Sequence, residues 1–169
     1  MLHLSRREAD IVISLERPTR GSVIVTRLAD YTLHLYGQRE YLARRPLVAT
    51  REDLRHHAFV SYVDDLLFTK ELQFLDALHQ PERFALRSTS ITAQYEAVRA
   101  GAGLAVLPAF LADRDPVLAR VLPQEARFTR TFWMSMPAEA KHQARMQVVW
   151  GVLKEVCAEE KGRLQPAGA

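Results

Sequence analysis

Short apolar runs alternate with longer periodic stretches along this chain. Ala9-Asp10-Ile11-Val12-Ile13-Ser14-Leu15 is a β-branched run between polar residues and predicts a buried strand. Glu16 to Gly21, punctuated by Pro18 and Gly21, predicts a loop. Val23 to Tyr36 predicts a long extended stretch, with Tyr31 to Tyr36 as a strand closed by Gly37. Helical turns follow at Glu40 to Arg45, stopped by Pro46, and at Thr50 to Leu54. In the latter Thr50 is the N-cap and Asp53 holds the capping-box position. Ala58 to Val63 predicts a strand. Phe68, Leu72, Leu75 and Leu78 recur at helical spacing, so Leu66 to His79 predicts an amphipathic helix closed by Pro81.

Arg83 to Arg87 predicts a strand, and Ser88-Thr89-Ser90 supplies N-caps for a helix with Ile91, Tyr95, Val98 and Ala102 on one stripe. Gly101-Ala102-Gly103 ends that helix with a left-handed cap. Leu104 to Leu107 predicts a buried strand, Pro108 opens a helical segment through Leu111, and Pro116 to Val121 predicts another helical turn. Phe128 to Met136 predicts a strand broken by Pro137. Lys141 to about Glu160 predicts the longest helix, with Met146, Val149, Val152, Leu153 and Val156 as its apolar face. Alternating strands and helices place the chain in the α/β class, with mainly parallel strands.

Composition narrows the picture. The 169 residues, 48% of them hydrophobic, suit one domain or two small lobes with a real core. No apolar run approaches the roughly 18–20 residues that span a bilayer. The first residues contain no apolar signal-peptide segment, so a cytoplasmic protein is expected. Cys157 is the one cysteine, which excludes an intrachain disulfide and a cysteine-based zinc site. The net charge is +3, with 23 basic residues dispersed along the chain. That pattern fits a solvated surface better than a nucleic-acid footprint.

Candidate chemistry centres on the strand, Ser88-Thr89-Ser90, helix order. A helix N-terminus presents unpaired N–H groups and partial positive charge, a seat for a carboxylate or phosphate. Plain N-capping explains the same residues without a ligand. Gly101-x-Gly103 ends a helix and precedes a strand, the reverse of a dinucleotide fingerprint. His56-His57 has no third ligand at metal spacing, and Asp64-Asp65 reads as a helix start. Cys157 reads as a small hydrophobe. There is no nucleophile elbow and no P-loop, so no enzymatic activity, metal or cofactor is expected.

The order of elements resembles the effector-binding domain of LysR-type transcriptional regulators. Arg7 to Ile13, Leu28 to Gly37 with Tyr41-Leu42-Ala43, Glu52 to His57, and Leu118 to Leu122 each resemble family segments. Val98-Arg99-Ala100-Gly101-Ala102-Gly103-Leu104-Ala105-Val106-Leu107-Pro108 is the most specific of the set. The match runs from about residue 7 to residue 157.

This resemblance implies an α/β, two-lobed type-2 periplasmic-binding-protein-like fold with a small ligand between the lobes. Lobe I would be residues 1–36 plus 137–169 and lobe II residues 37–136, with crossings near Tyr36-Gly37 and Ser135-Met136. Family members begin with a winged helix-turn-helix, a linker helix and the first strand and helix of lobe I. None of these is present in the sequence, so lobe I is expected to be incomplete and specific operator binding absent. Apolar surface is then expected to be exposed on the Ile11–Leu15 strand and the Lys141–Glu160 helix, favouring association.

By position, the resemblance assigns the ligand to Ser14, Ser61, Tyr62, Ser88, Thr89, Ser90 and Gly103, and implies a small organic acid. Homo-oligomers and DNA binding through the N-terminal domain are implied for the full-length regulator, with no membrane partner. A solute-binding protein fragment without regulatory role is the alternative. An enzyme on the same fold would need a nucleophile–base pair, and the residues offer only hydroxyls.

Overall fold

The computed structural model describes residues 10–63, 75 and 78–166. The helix expected over Leu66 to His79 and the Asp64-Asp65 start fall mostly outside these residues; Leu75 and Leu78 within it are described, and both are buried. Two compact units divide the chain, one drawn from Met1–Tyr31 and Arg130–Ala167, the other from Thr32–Thr129. The divisions fall at Tyr31/Thr32 and Thr129/Arg130, within the long strands β2 (Val23–Gln38) and β7 (Arg127–Pro137).

In the first unit, β1 (Val12–Ser14) pairs antiparallel with β7, Ile13 facing Met134. A 3-10 turn (Ala138–Ala140) leads into α4 (Ala144–Glu159) and the short α5 (Lys161–Leu164). Met136, Ala140 and Met146 are buried together, with Ile11, Ile24 and Trp150 packed against them. Tyr31 stacks on Phe132 with ring centroids 4.3 Å apart. Asp30 accepts a hydrogen bond from Thr131 and pairs with Arg27.

The second unit contains α1 (Arg39–Ala43), a 3-10 turn (Arg51–His56), β3 (Phe59–Ser61), β4 (Phe84–Arg87), α2 (Ile91–Arg99), β5 (Ala105–Pro108), α3 (Ala109–Ala112) and β6 (Leu118–Val121). As expected, Asp53 closes the first turn by accepting the Thr50 N–H at 2.8 Å. Helix α2 ends on Gly101 at φ +76°, where the Ala102 N–H donates back to the Ala97 carbonyl. That is the left-handed cap anticipated from the glycine. Tyr36, Val60, Val98, Ala105, Leu107, Ala112 and Leu118 form the core.

Strand direction differs from the mainly parallel sheet expected. β3 and β4 are parallel, and Phe59 bridges Leu104 in parallel; between β4 and β5 the α2 crossover returns the chain in the same sense. The pairings of β2 with β5, β2 with β6, and β1 with β7 are all antiparallel. The Pro116 to Val121 segment also differs. Only a tight turn forms at Asp115, whose carboxylate accepts the Val117 N–H. Leu118–Val121 then pairs with Leu35–Gln38 as a strand. Helix propensity there yields to a free strand edge.

Candidate functional site

Parallel pairing puts the carboxyl ends of β3 and β4 side by side, with Ser61 opposite Arg87. Ligands of open α/β sheets sit at such ends. The Ser88 N–H donates to the Ser61 carbonyl at 2.9 Å, which holds the Ser88-Thr89-Ser90 turn against β3. The Ser90 hydroxyl accepts the Ala93 N–H at 3.3 Å and is the N-cap of α2. The Ser88 hydroxyl accepts the Ser90 N–H at 3.2 Å, while its carbonyl accepts from the buried Gln94 side chain at 2.8 Å. Thr89 and Ser90 are exposed, and Ser88, Ser61 and Tyr62 are half-buried. Burial raises the Tyr62 phenol above its ordinary value, so it remains a donor at neutral pH. The Arg87 guanidinium lies 3.9 Å from the centroid of the Phe84 ring. The arrangement offers hydroxyls and helix N–H groups with a cation nearby, suited to an anion and without a nucleophile–base pair.

Of the two remaining residues expected at the site, Gly103 is in this unit and Ser14 is in the other. Gly103 sits at the amino end of β5, where a Cβ would come within 2.3 Å of the Ala58 carbonyl oxygen. Its lack of a side chain is explained by close strand packing at the end opposite Ser61. Ser14 belongs to the other unit, on β1, and donates to the Glu16 carbonyl at 2.7 Å.

Four features were not anticipated from the sequence. Asp113 accepts from Nε and Nη2 of Arg120 (2.9 and 2.6 Å) and from the Tyr36 hydroxyl (2.7 Å). Burial pushes the Asp113 carboxyl up, but Arg120 and Tyr36 outweigh it and leave it below the usual range. Asp115 receives Arg99 at 2.7 Å and the Tyr95 hydroxyl at 2.8 Å. His34, 1% exposed, has no partner at Nδ1 among the described residues. Burial, then Arg120, lower its pKa to about 4. An open groove of about 370 Å³, lined by Gln38, Tyr41, Arg44, Arg45 and Gly101, completes the set. Only the adjacent Arg44-Arg45 pair was visible as a signal for it. Among the described residues no group of three His, Cys, Asp or Glu side chains could hold a metal, and no helix is long and apolar enough to cross a membrane.

The parallel β3–β4–α2–β5 layout and the two strands passing between units match a fold of the periplasmic-binding-protein type. Solved structures agree. The regulatory domain of CrgA, a LysR-type transcriptional regulator from Neisseria meningitidis, is 19% identical with a TM-score of 0.74, covering 91% of this chain and 78% of that one. The effector domain of AmpR from Pseudomonas aeruginosa is 20% identical with a TM-score of 0.71, covering 97% and 80%. Against the longer CrgA chain, identity is 22% and the TM-score 0.73. This chain then spans 54% of that protein's length. Residues 1–158 match the LysR substrate binding domain family, and the chain belongs to it. No curated protein sequence matches the chain.

Proposed function

We propose that this chain is the ligand-sensing part of a LysR-type transcriptional regulator, without catalytic turnover, and that it binds a small organic acid at the carboxyl ends of β3 and β4. The observation that carries this reading is the hydrogen bond that joins Ser61 to the Ser88–Ser90 turn at the N-terminus of α2, with Tyr62 the next residue along the chain. A carboxylate there would accept from the hydroxyls of Ser88 and Thr89, from the Tyr62 phenol and from the first N–H groups of α2. In the intact regulator, an effector shifts the conformational equilibrium only by its differential affinity for two states. DNA contact would come from a helix-turn-helix domain, in a homo-oligomer.

The test is isothermal titration calorimetry with a panel of aliphatic and aromatic mono- and dicarboxylates. A carboxylate that binds the parent chain should lose at least tenfold in affinity in the Ser88→Ala/Ser90→Ala double variant, with folding checked by circular dichroism. Unchanged affinity in the folded variant places the site elsewhere. Binding of none of the panel overturns the organic-acid class.

A further inference from the structure

The loop from Asp113 to Val117, between α3 and β6, is held at every residue but one. Asp113 accepts from Arg120 and from the Tyr36 hydroxyl. Asp115 accepts from Arg99, from the Tyr95 hydroxyl and from the Val117 N–H. The Pro116 carbonyl accepts from Nε of Arg39 at 2.9 Å, and the Val117 carbonyl accepts the Arg39 N–H at 2.9 Å. Surface loops are ordinarily mobile. This one is fixed from several elements, and only Arg114 is left exposed with no side-chain partner among the described residues.

The same face continues across the ends of two helices. Arg39 opens α1, and Arg99 stands in the last turn of α2. Gly101, the left-handed cap, lies so close to α1 that a Cβ on it would meet Oε1 of Gln38 at 2.7 Å. Here runs the groove of about 370 Å³. On its wall the Arg45 guanidinium lies 5.1 Å from the centroid of the Tyr41 ring, whose hydroxyl is fixed by accepting the Ala58 N–H. The Gln38 side-chain amide has no hydrogen-bond partner among the described residues.

Charge on this face is unbalanced. Arg44 pairs with Glu40, Arg99 with Glu96 and Asp115, and Arg120 with Asp113. Arg39, Arg45 and Arg114 are exposed and have no carboxylate partner among the described residues. Helix dipoles do not account for the excess. Arg39 sits at the amino end of α1, where a cation is disfavoured, and Arg114 lies in no helix. Like charges held together cost stability that an anionic partner recovers.

We propose that an acidic segment of a partner protein docks on this face, one carboxylate on Arg45 in the groove and others on Arg39 and Arg114. The carboxylates set among the arginines would repel a continuous phosphate backbone. The Gln38 amide offers the donor and the acceptor that a peptide group takes. A fixed loop loses little freedom on binding. The face lies at the far end of α2 from the Ser88–Ser90 turn, about 13 Å along the helix axis, so it is separate from the ligand site proposed above.

Fluorescence anisotropy of a short labelled peptide of alternating glutamate and alanine, titrated with the 169-residue chain at low salt, tests this. The parent chain should bind it saturably, and should not bind the same peptide with glutamine in place of glutamate. Arg45→Glu and Arg114→Glu should each weaken binding roughly fivefold or more. The Arg114 side chain has no partner among the described residues, so folding should survive its replacement, as circular dichroism would verify. Arg20→Glu, at an exposed arginine of the other unit, changes net charge equally and should leave affinity within about twofold. Absence of saturable binding overturns the proposal. So does an equal loss with Arg20→Glu, which would reduce binding to net charge. Tighter binding of a labelled DNA duplex through Arg45 and Arg114 would overturn it too, giving the face to nucleic acid.

Discussion

Strand β2 belongs to both units and changes character at their division. From Val23 to Asp30 its residues are half-buried or exposed, although Val23-Ile24-Val25 is as apolar as anything later in the strand. From Tyr31 to Gly37 every residue is buried. The difference lies in what packs on the strand. The second half pairs with β5 and β6 on its hydrogen-bonding edges and meets the Tyr36–Val98–Leu107 core. β2 also pairs with β7, but the first half meets only a small cluster, and the helix of its unit keeps a row of valines in solvent. Equal hydrophobicity therefore does not give equal burial; the number of elements available to cover a strand decides it.

Truncations within this one strand should separate the halves most widely. Leu35 is fully buried, and Leu35→Ala should cost about 2–5 kcal/mol. Val25 is half-buried, and Val25→Ala should cost about 1 kcal/mol. Urea titration followed by circular dichroism reads both, and equal costs would dissolve the contrast.

Acidification should weaken the densely packed half next. The unfolded chain protonates His34 near the ordinary value of 6.5, while the folded chain resists until about pH 4. Between these values unfolding takes up a proton, so stability falls as pH falls, by at most about 1.4 kcal/mol per pH unit from this group. The total across the window is roughly 2–3 kcal/mol. His57, lowered first by burial, acts in the same direction. His34→Gln should flatten most of the slope between pH 6.5 and 4.5. An unchanged slope would assign it to other groups.

Asp113→Asn should cost about 1–2 kcal/mol, because it leaves Arg120 without its carboxylate while both groups are mostly shielded. The smallest effect expected is that of Ser90→Ala, about 1 kcal/mol for the lost N-cap. Thermal melts resolve either change.

What the sequence made legible was local. The Gly101 cap, the Thr50–Asp53 box, the end of β7 at Pro137 and the Ser90 cap all depend on residues a few positions apart. The order of these signals carried the family resemblance, and the fold follows from it. The direction of β2 against β5 and β6 was not legible, because pairing across distant segments leaves no periodic trace. The Tyr36–Asp113–Arg120 and Arg99–Asp115–Tyr95 groups stayed hidden for the same reason, Tyr36 and Asp113 lying 77 positions apart. At the candidate site, residue types pointed to the Ser88–Ser90 turn, and the parallel register of β3 and β4 joins it to Ser61. The close approach of Gly103 to Ala58 was not legible, because it too joins distant segments.

The central claim is that organic acids are sensed at the carboxyl ends of β3 and β4. Its most direct test is a ¹⁵N–¹H correlation spectrum of the whole chain titrated with the carboxylate panel. Saturable shifts concentrated at Ser61, Tyr62 and the Ser88–Thr92 amides are the expected result. Shifts confined to other regions, such as the Gln38–Arg45 groove, or no saturable shifts with any carboxylate, would contradict it.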